Sequence, residues 1–131
     1  MNAKFSASSF RWLLLGFLAT VGFGSFAKAA ETNGYIGAVG DQKMILSLTW
    51  HDDGRVSGNY YCPGGSGRIY AMRGSNPRQG ELLLTEYADG KPTATCVLKK
   101  SIENGVIVWR GVMYNHDGRN KGMFFYRGNG H

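Results

Sequence analysis

The sequence predicts an all-β protein, an eight-stranded antiparallel up-and-down meander that forms a small or flattened β-barrel. Three observations lead to this prediction. From Tyr35 onward, short runs of alternating apolar and polar residues are separated by turn signals, and no segment shows a sustained helical period. Four of the seven connections carry Asn-Gly or Asp-Gly, which tolerate the positive φ angles of tight hairpin turns. The connections are too short for a crossover helix, so neighbouring strands must run antiparallel.

The second predicted strand shows the alternation most clearly. Met44, Leu46 and Leu48 fall on one face, and Ser47 and Thr49 fall on the other, as expected for a strand with one buried side. All eight predicted strands, in chain order, are residues 34–39, 43–50, 55–61, 68–74, 81–87, 93–99, 106–114 and 121–127.

Glycine inside a predicted strand needs a separate explanation, and Gly58 is the central case. It lies in the third strand, and Gly74 and Gly111 lie similarly inside or at the end of others. Glycine there permits a sharp bend or a close approach of two backbones, which a small barrel requires. The alternative is that it clears space for a ligand. We favour bending, because these glycines recur on strands that need not share a site.

Residues 1–29 have the composition of a secretory signal peptide. Lys4 and Arg11 precede an apolar run over residues 12–23, and Ala27-Lys28-Ala29 resembles a cleavage site. A membrane anchor is the alternative, but glycines interrupt the run and it is short for a span. We therefore expect residues 30–131 to be a single β-barrel domain, periplasmic or secreted, with no integral membrane span after cleavage.

The charge of the exported part differs from that of the whole chain. The predicted leader holds three of the 15 basic residues and none of the nine acidic ones, which leaves a net charge of +3. The remaining basic residues are scattered along the sequence. This pattern predicts no nucleic-acid partner.

Cys62 and Cys96 are the only cysteines in the chain. An even pair in an oxidising compartment predicts a disulfide that braces the domain. Their spacing excludes a C-x-x-C redox motif, and no histidine is spaced to complete a zinc site with them. We therefore predict a structural role for both cysteines.

Two histidine-aspartate clusters resemble halves of a metal site. His51 lies in the connection between the second and third strands, and His116 lies between the seventh and eighth. In a meander these connections belong to opposite ends, and turn chemistry accounts for the Asp-Gly parts without a metal. The sequence therefore predicts neither a metal nor a cofactor.

Glu86 is the one residue that suggests acid–base chemistry. It shares a face with Leu82 and Leu84, so it either reaches solvent at the strand end or pairs inside with Arg73 or Arg68. A catalytic acid would need a second acid or a histidine at the same end, and none can be placed there. We therefore predict that the protein is not an enzyme.

Two stretches carry a family resemblance. Residues 40–61, GDQKMILSLTWHDDGRVSGNYY, and residues 106–119, VIVWRGVMYNHDGR, resemble avidin-like and other calycin-type small exported barrels. The resemblance implies the barrel fold. It would imply a biotin-type pocket only if the pocket residues matched. Tyr60 falls where that family has a polar tyrosine, but the ring of pocket tryptophans is missing and Asp41 replaces an expected serine.

The function that these features favour is binding of an unknown protein partner in the cell envelope, for example as a hydrolase inhibitor. A rigid, disulfide-braced β scaffold presents loops at low entropic cost, so residues 63–68 and 76–80 are the first candidates. Tyrosine and arginine are enriched at interface hot spots, and the predicted contacts are Tyr61, Tyr70, Arg68 and Arg78. One alternative is a carrier of a small apolar ligand inside the barrel, and an enzyme is the other.

Overall fold

Eight strands pair with their neighbours in sequence in the computed structural model, which describes residues 30–128. Each connection is short, and every pairing is antiparallel. In chain order the strands are β1 (Glu31–Val39), β2 (Gln42–Trp50), β3 (Arg55–Tyr61), β4 (Tyr70–Ser75), β5 (Glu81–Ala88), β6 (Lys91–Glu103), β7 (Val106–Asn115) and β8 (Asn120–Arg127).

The last strand returns to the first and closes the barrel. β8 pairs with residues 35–39 of β1, so both main edges of the sheet are covered. The predicted all-β fold of eight antiparallel strands is confirmed, and the barrel is closed. The predicted leader, residues 1–29, lies outside the described residues. Within the part described, no helix is long and apolar enough to cross a membrane.

Inward-pointing side chains from every strand fill the middle of the barrel. They alternate with outward residues along each strand, as the period of two requires. The fully buried members include Met44, Leu46, Leu48, Met72, Leu82, Leu84, Leu98, Met123 and Phe125. This packed middle separates the two ends of the barrel interior from each other.

Gly58 permits a close contact between β3 and β2. A Cβ atom at this position would lie 1.9 Å from the carbonyl oxygen of Ser47, so no other residue fits without moving the backbone. Gly37, Gly74 and Gly111 stand equally close to carbonyl oxygens of neighbouring strands. Close backbone approach therefore accounts for these strand glycines, rather than space for a ligand.

The predicted disulfide is wrong for this structure, because Cys62 and Cys96 are both free thiols. Cys62 directly follows β3 and is half-buried, whereas Cys96 lies within β6 and is buried. Strands β4 and β5 lie between these two positions in the order of the barrel. Inward side chains such as Met72 and Leu84, from these two intervening strands, are buried in the interior.

The meander sorts the connections between two ends. The closed end, as we call it, carries connections 40–41, 62–69, 89–90 and 116–119, and the open end carries connections 51–54, 76–80 and 104–105. The two predicted contact loops, 63–68 and 76–80, are therefore at opposite ends and cannot form one surface. His51 and His116 are separated in the same way, as the sequence predicted.

Candidate functional site

The inward row of side chains ends in an aromatic floor at the open end. Trp50, the last residue of β2, donates a hydrogen bond from Nε1 to the hydroxyl of Tyr35, 2.8 Å away. Trp109 of β7 packs beside Trp50, with ring centroids 5.7 Å apart and planes tilted by 31°. The two indoles and the phenol line the bottom of the opening at this end.

Polar side chains surround this floor and form a shallow cup of about 330 Å³ that opens to solvent. Lys100 lies two residues beyond buried Leu98 on β6, so the same alternation brings it to the open end. Arg127 follows buried Phe125 on β8 in the same way. The cup, as named from here on, is lined by Glu31, Asn33, Tyr35, Trp50, Asn76, Lys100, Ile107, Trp109 and Arg127.

Positive charge exceeds negative charge in the cup. Lys100 and Arg127 face one carboxylate, that of Glu31. The ion pairs found among residues 30–128 are Arg55–Asp53, Arg110–Glu103 and Arg119–Asp117, and none includes a residue of the cup. The two cup cations are therefore available to an external group.

A protruding hairpin borders the cup on one side. The turn at residues 104–105 joins β6 to β7, and the tip projects past β5, whose pairing with β6 begins at Lys99. We call residues 101–107 the lip. Ile102 and Ile107 are directly opposed cross-strand partners in it, and they are 74% and 49% exposed. Two large apolar side chains exposed beside a concave aromatic site are a common feature of interaction surfaces.

The closed end contains a different arrangement, centred on a buried carboxylate. Glu86 is only 4% exposed. Its Oε2 accepts a hydrogen bond from the hydroxyl of Tyr60, and its Oε1 accepts one from Oγ1 of Thr93, 2.6 Å away. Neither Arg73 nor Arg68 pairs with it, and it does not reach solvent, so both sequence-based expectations for Glu86 are wrong.

An irregularity in strand pairing supplies one of these two donors. The register between β5 and β6 shifts after Glu86, which faces Ala94, while Tyr87 faces Pro92. Thr93 is left between the two pairs and turns its hydroxyl toward the carboxylate. A β-bulge commonly re-aims a side chain in this way.

Three other titratable groups near Glu86 have raised pKa values, which favours their neutral forms. Burial, followed by the hydrogen bond to Glu86, raises the pKa of Tyr60. Burial also raises the pKa of the Cys62 thiol, and it raises that of Cys96 to about 12. A thiol in this state is a poor nucleophile. In the part of the chain that the structure describes, no group of three or more His, Cys, Asp or Glu residues could hold a metal ion.

The structure disperses the four predicted contact residues. Tyr70 stacks on Tyr60 inside the closed end, with ring centroids 5.0 Å apart. Tyr61 is exposed on the outer wall opposite Ile45, and Arg68 is exposed in the 62–69 connection. Arg78 is exposed in the 76–80 connection at the other end. The four residues therefore do not form one site.

The residues of the cup were not among the predicted contacts. One signal could have found them: extending the inward rows that contain Leu98 and Phe125 by one more step reaches Lys100 and Arg127. Both remaining tryptophans also fall at inward positions near strand ends of the same side. Comparison of the chain with protein-family models, with curated proteins and with solved structures found no match.

Proposed function

We propose that this chain is an exported, non-catalytic binding protein that engages a protein partner in the cell envelope through its open end. The observation that carries the proposal is the pairing of the cup with the lip. Ile102 and Ile107 expose apolar surface at the edge of a concave site floored by Trp50 and Trp109. Buried aromatic anchors ringed by partly exposed contacts are typical of interface hot spots.

Strand-borne positions favour tight recognition in this proposal. Every residue of the cup except Asn76 belongs to a strand of the closed barrel. Little backbone conformational entropy is lost when such residues bind, because the barrel wall already fixes their backbone. Inhibition of an envelope hydrolase is the concrete form of the proposal, with a projecting group of the enzyme seated in the cup.

Export is proposed from the leader-like composition of residues 1–29, and the absence of an enzymatic role from the chemistry of the two ends. Glu86 has hydroxyl partners but lies on the far side of a packed core from the cup. A general acid must reach its substrate, and a carboxylate sealed below tyrosine and methionine side chains does not.

A pull-down from envelope extract tests the proposal. The bait is the chain from residue 30 onward, compared with Ile102→Ser at the lip and with Val97→Ser on the outer wall. Both side chains are substantially exposed, so each variant should unfold within about 0.5 kcal/mol of the parent. We expect one stoichiometric protein to be captured by the parent and by Val97→Ser, and at least tenfold less by Ile102→Ser.

Equal capture by all three baits would contradict a site at the open end. Recovery of a small apolar molecule with no protein, lost in a Trp109→Ala variant, would instead favour the carrier function. The cup's volume of about 330 Å³ is at the lower end of the range for small-ligand pockets, so a small molecule would fit in it.

A further inference from the structure

The cup offers more hydrogen-bond donors than acceptors. Lys100 carries three N–H groups and Arg127 carries five, and neither side chain can accept a hydrogen bond. The side-chain amides of Asn33 and Asn76 can both donate and accept hydrogen bonds. Glu31 supplies the one carboxylate. A ligand that accepts hydrogen bonds therefore suits this wall better than one that donates them.

The floor adds to the excess of donors. The hydroxyl of Tyr35 accepts the hydrogen bond of Trp50, so its own proton remains free to be donated. Trp109 is 7% exposed, and no hydrogen bond among residues 30–128 involves its Nε1 atom. The indole N–H is a donor only. Both the wall and the floor of the cup thus favour a ligand atom that accepts hydrogen bonds.

The excess of positive charge in the cup favours an anionic ligand. Lys100 and Arg127 outnumber Glu31, and none of the three is held in an ion pair within the described part of the chain. A guanidinium binds a planar carboxylate through two parallel hydrogen bonds, and it does so better than it binds a neutral amide.

Apolar surface beside the two cations indicates that the ligand also carries apolar groups. Ile107 lines the cup, and its cross-strand partner Ile102 extends the same face outward along the lip. The volume of about 330 Å³ admits one or two side chains but not a folded loop. An acidic residue between apolar residues matches the charge, the donors and the apolar border together.

We infer that the cup receives an acidic side chain of the partner, flanked by apolar residues that contact the lip and the indole floor. This inference rests on the proposed function and specifies the chemistry of the group bound.

The protein carries its own probe for a test. Trp50 and Trp109 are the only tryptophans after residue 29, and both lie in the floor. Their fluorescence can be titrated with acetyl-Gly-Leu-Glu-Leu-Gly-amide and with the same peptide carrying Gln or Lys in place of Glu. We expect the Glu peptide to bind on the order of fivefold more tightly than the Gln peptide at low salt. The Lys peptide should be the weakest of the three.

Two variants assign the preference to the cup. Combining Lys100→Gln with Arg127→Gln should remove the difference between the Glu and Gln peptides. Lys99→Gln is the matched control, because Lys99 neighbours Lys100 but pairs with Glu81 and Arg110 on the outward face. It should keep the full preference. Raising the salt concentration to about 0.5 M should reduce the preference in the parent and in the control.

Three outcomes would overturn the inference. One is equal binding of the Glu and Gln peptides. Another is a preference that survives the double substitution. The third is no response to any of the three peptides up to about 10 mM. The proposed function would still stand if partner capture required Ile102 but tolerated the double substitution, whereas capture independent of both would contradict the proposed function itself.

Discussion

The two ends of the barrel interior use a tyrosine hydroxyl in opposite ways. At the closed end, Tyr60 donates its hydroxyl to Glu86, and the pair is sealed beneath neighbouring side chains. At the open end, Tyr35 uses its hydroxyl to accept from Trp50, and the ring beside it forms part of an accessible floor. The first tyrosine satisfies a buried group, whereas the second holds an indole ready for contact. The surroundings, rather than the residue type, decide whether a tyrosine hydroxyl completes a sealed pair or borders an accessible surface.

The largest effect should come from disrupting the close backbone contact between β2 and β3, on which the barrel and therefore both of its ends depend. Gly58→Ala would place a methyl group 1.9 Å from the carbonyl oxygen of Ser47. We expect a loss of about 3 kcal/mol or more in the free energy of unfolding, or a failure to fold. Gly122→Ala on β8 is the control, since nothing lies within 4 Å of the added atom. Urea unfolding of both variants measures the contrast, and comparable losses would refute it.

A matched deletion of one hydroxyl at each end sharpens the comparison. Tyr60→Phe leaves the buried Glu86 carboxylate with Thr93 as its one remaining side-chain donor, and we expect a cost of about 2 kcal/mol. Tyr35→Phe removes only the acceptor of a part-buried, uncharged indole N–H, at a cost of about 1 kcal/mol or less. Chemical denaturation at neutral pH gives both values. A larger loss for Tyr35→Phe would reverse our assignment of the ends.

The smallest effect concerns pH and involves Cys96, which is buried in the packed middle between the two ends. Burial raises the pKa of Cys96 from its ordinary 9.0 to about 12. The unfolded chain therefore loses this proton first, so the stabilisation is complete below pH 9 and declines as the pH rises toward 12. We expect the parent to lose about 1 kcal/mol more than Cys96→Ala between pH 8 and pH 10, where other groups titrate equally in both. If the free energies of unfolding of the two proteins fell in parallel with pH, the pKa of Cys96 would not be raised by burial.

The strands could be predicted because their signals are local. Alternation such as that of Met44, Leu46 and Leu48, and turn pairs such as Asn104-Gly105, depend on neighbouring residues alone. The disulfide was predicted from compartment and cysteine parity, neither of which specifies distance. Whether two residues three strands apart can meet depends on how round the barrel is, and that is a property of the whole sheet.

Strand register explains why neither the partners of Glu86 nor the cup could be predicted from the sequence. The partners of Glu86 depend on a shift that places Thr93 between two pairs, and no local pattern announces that shift. The cup depends on which strand ends reach the same level once the barrel has closed. Loop composition directed attention to Arg68 and Arg78 instead, although the structure separates them by the length of the barrel.

The protruding hairpin has a consequence for how this scaffold can vary. Its tip stands clear of the wall, and its turn at Asn104 and Gly105 already adopts the left-handed backbone that such a turn requires. Lengthening, shortening or replacing residues 101–107 would leave the packed middle untouched. The same barrel should therefore accept a different segment grafted at this one place, while the rest of the chain keeps its fold.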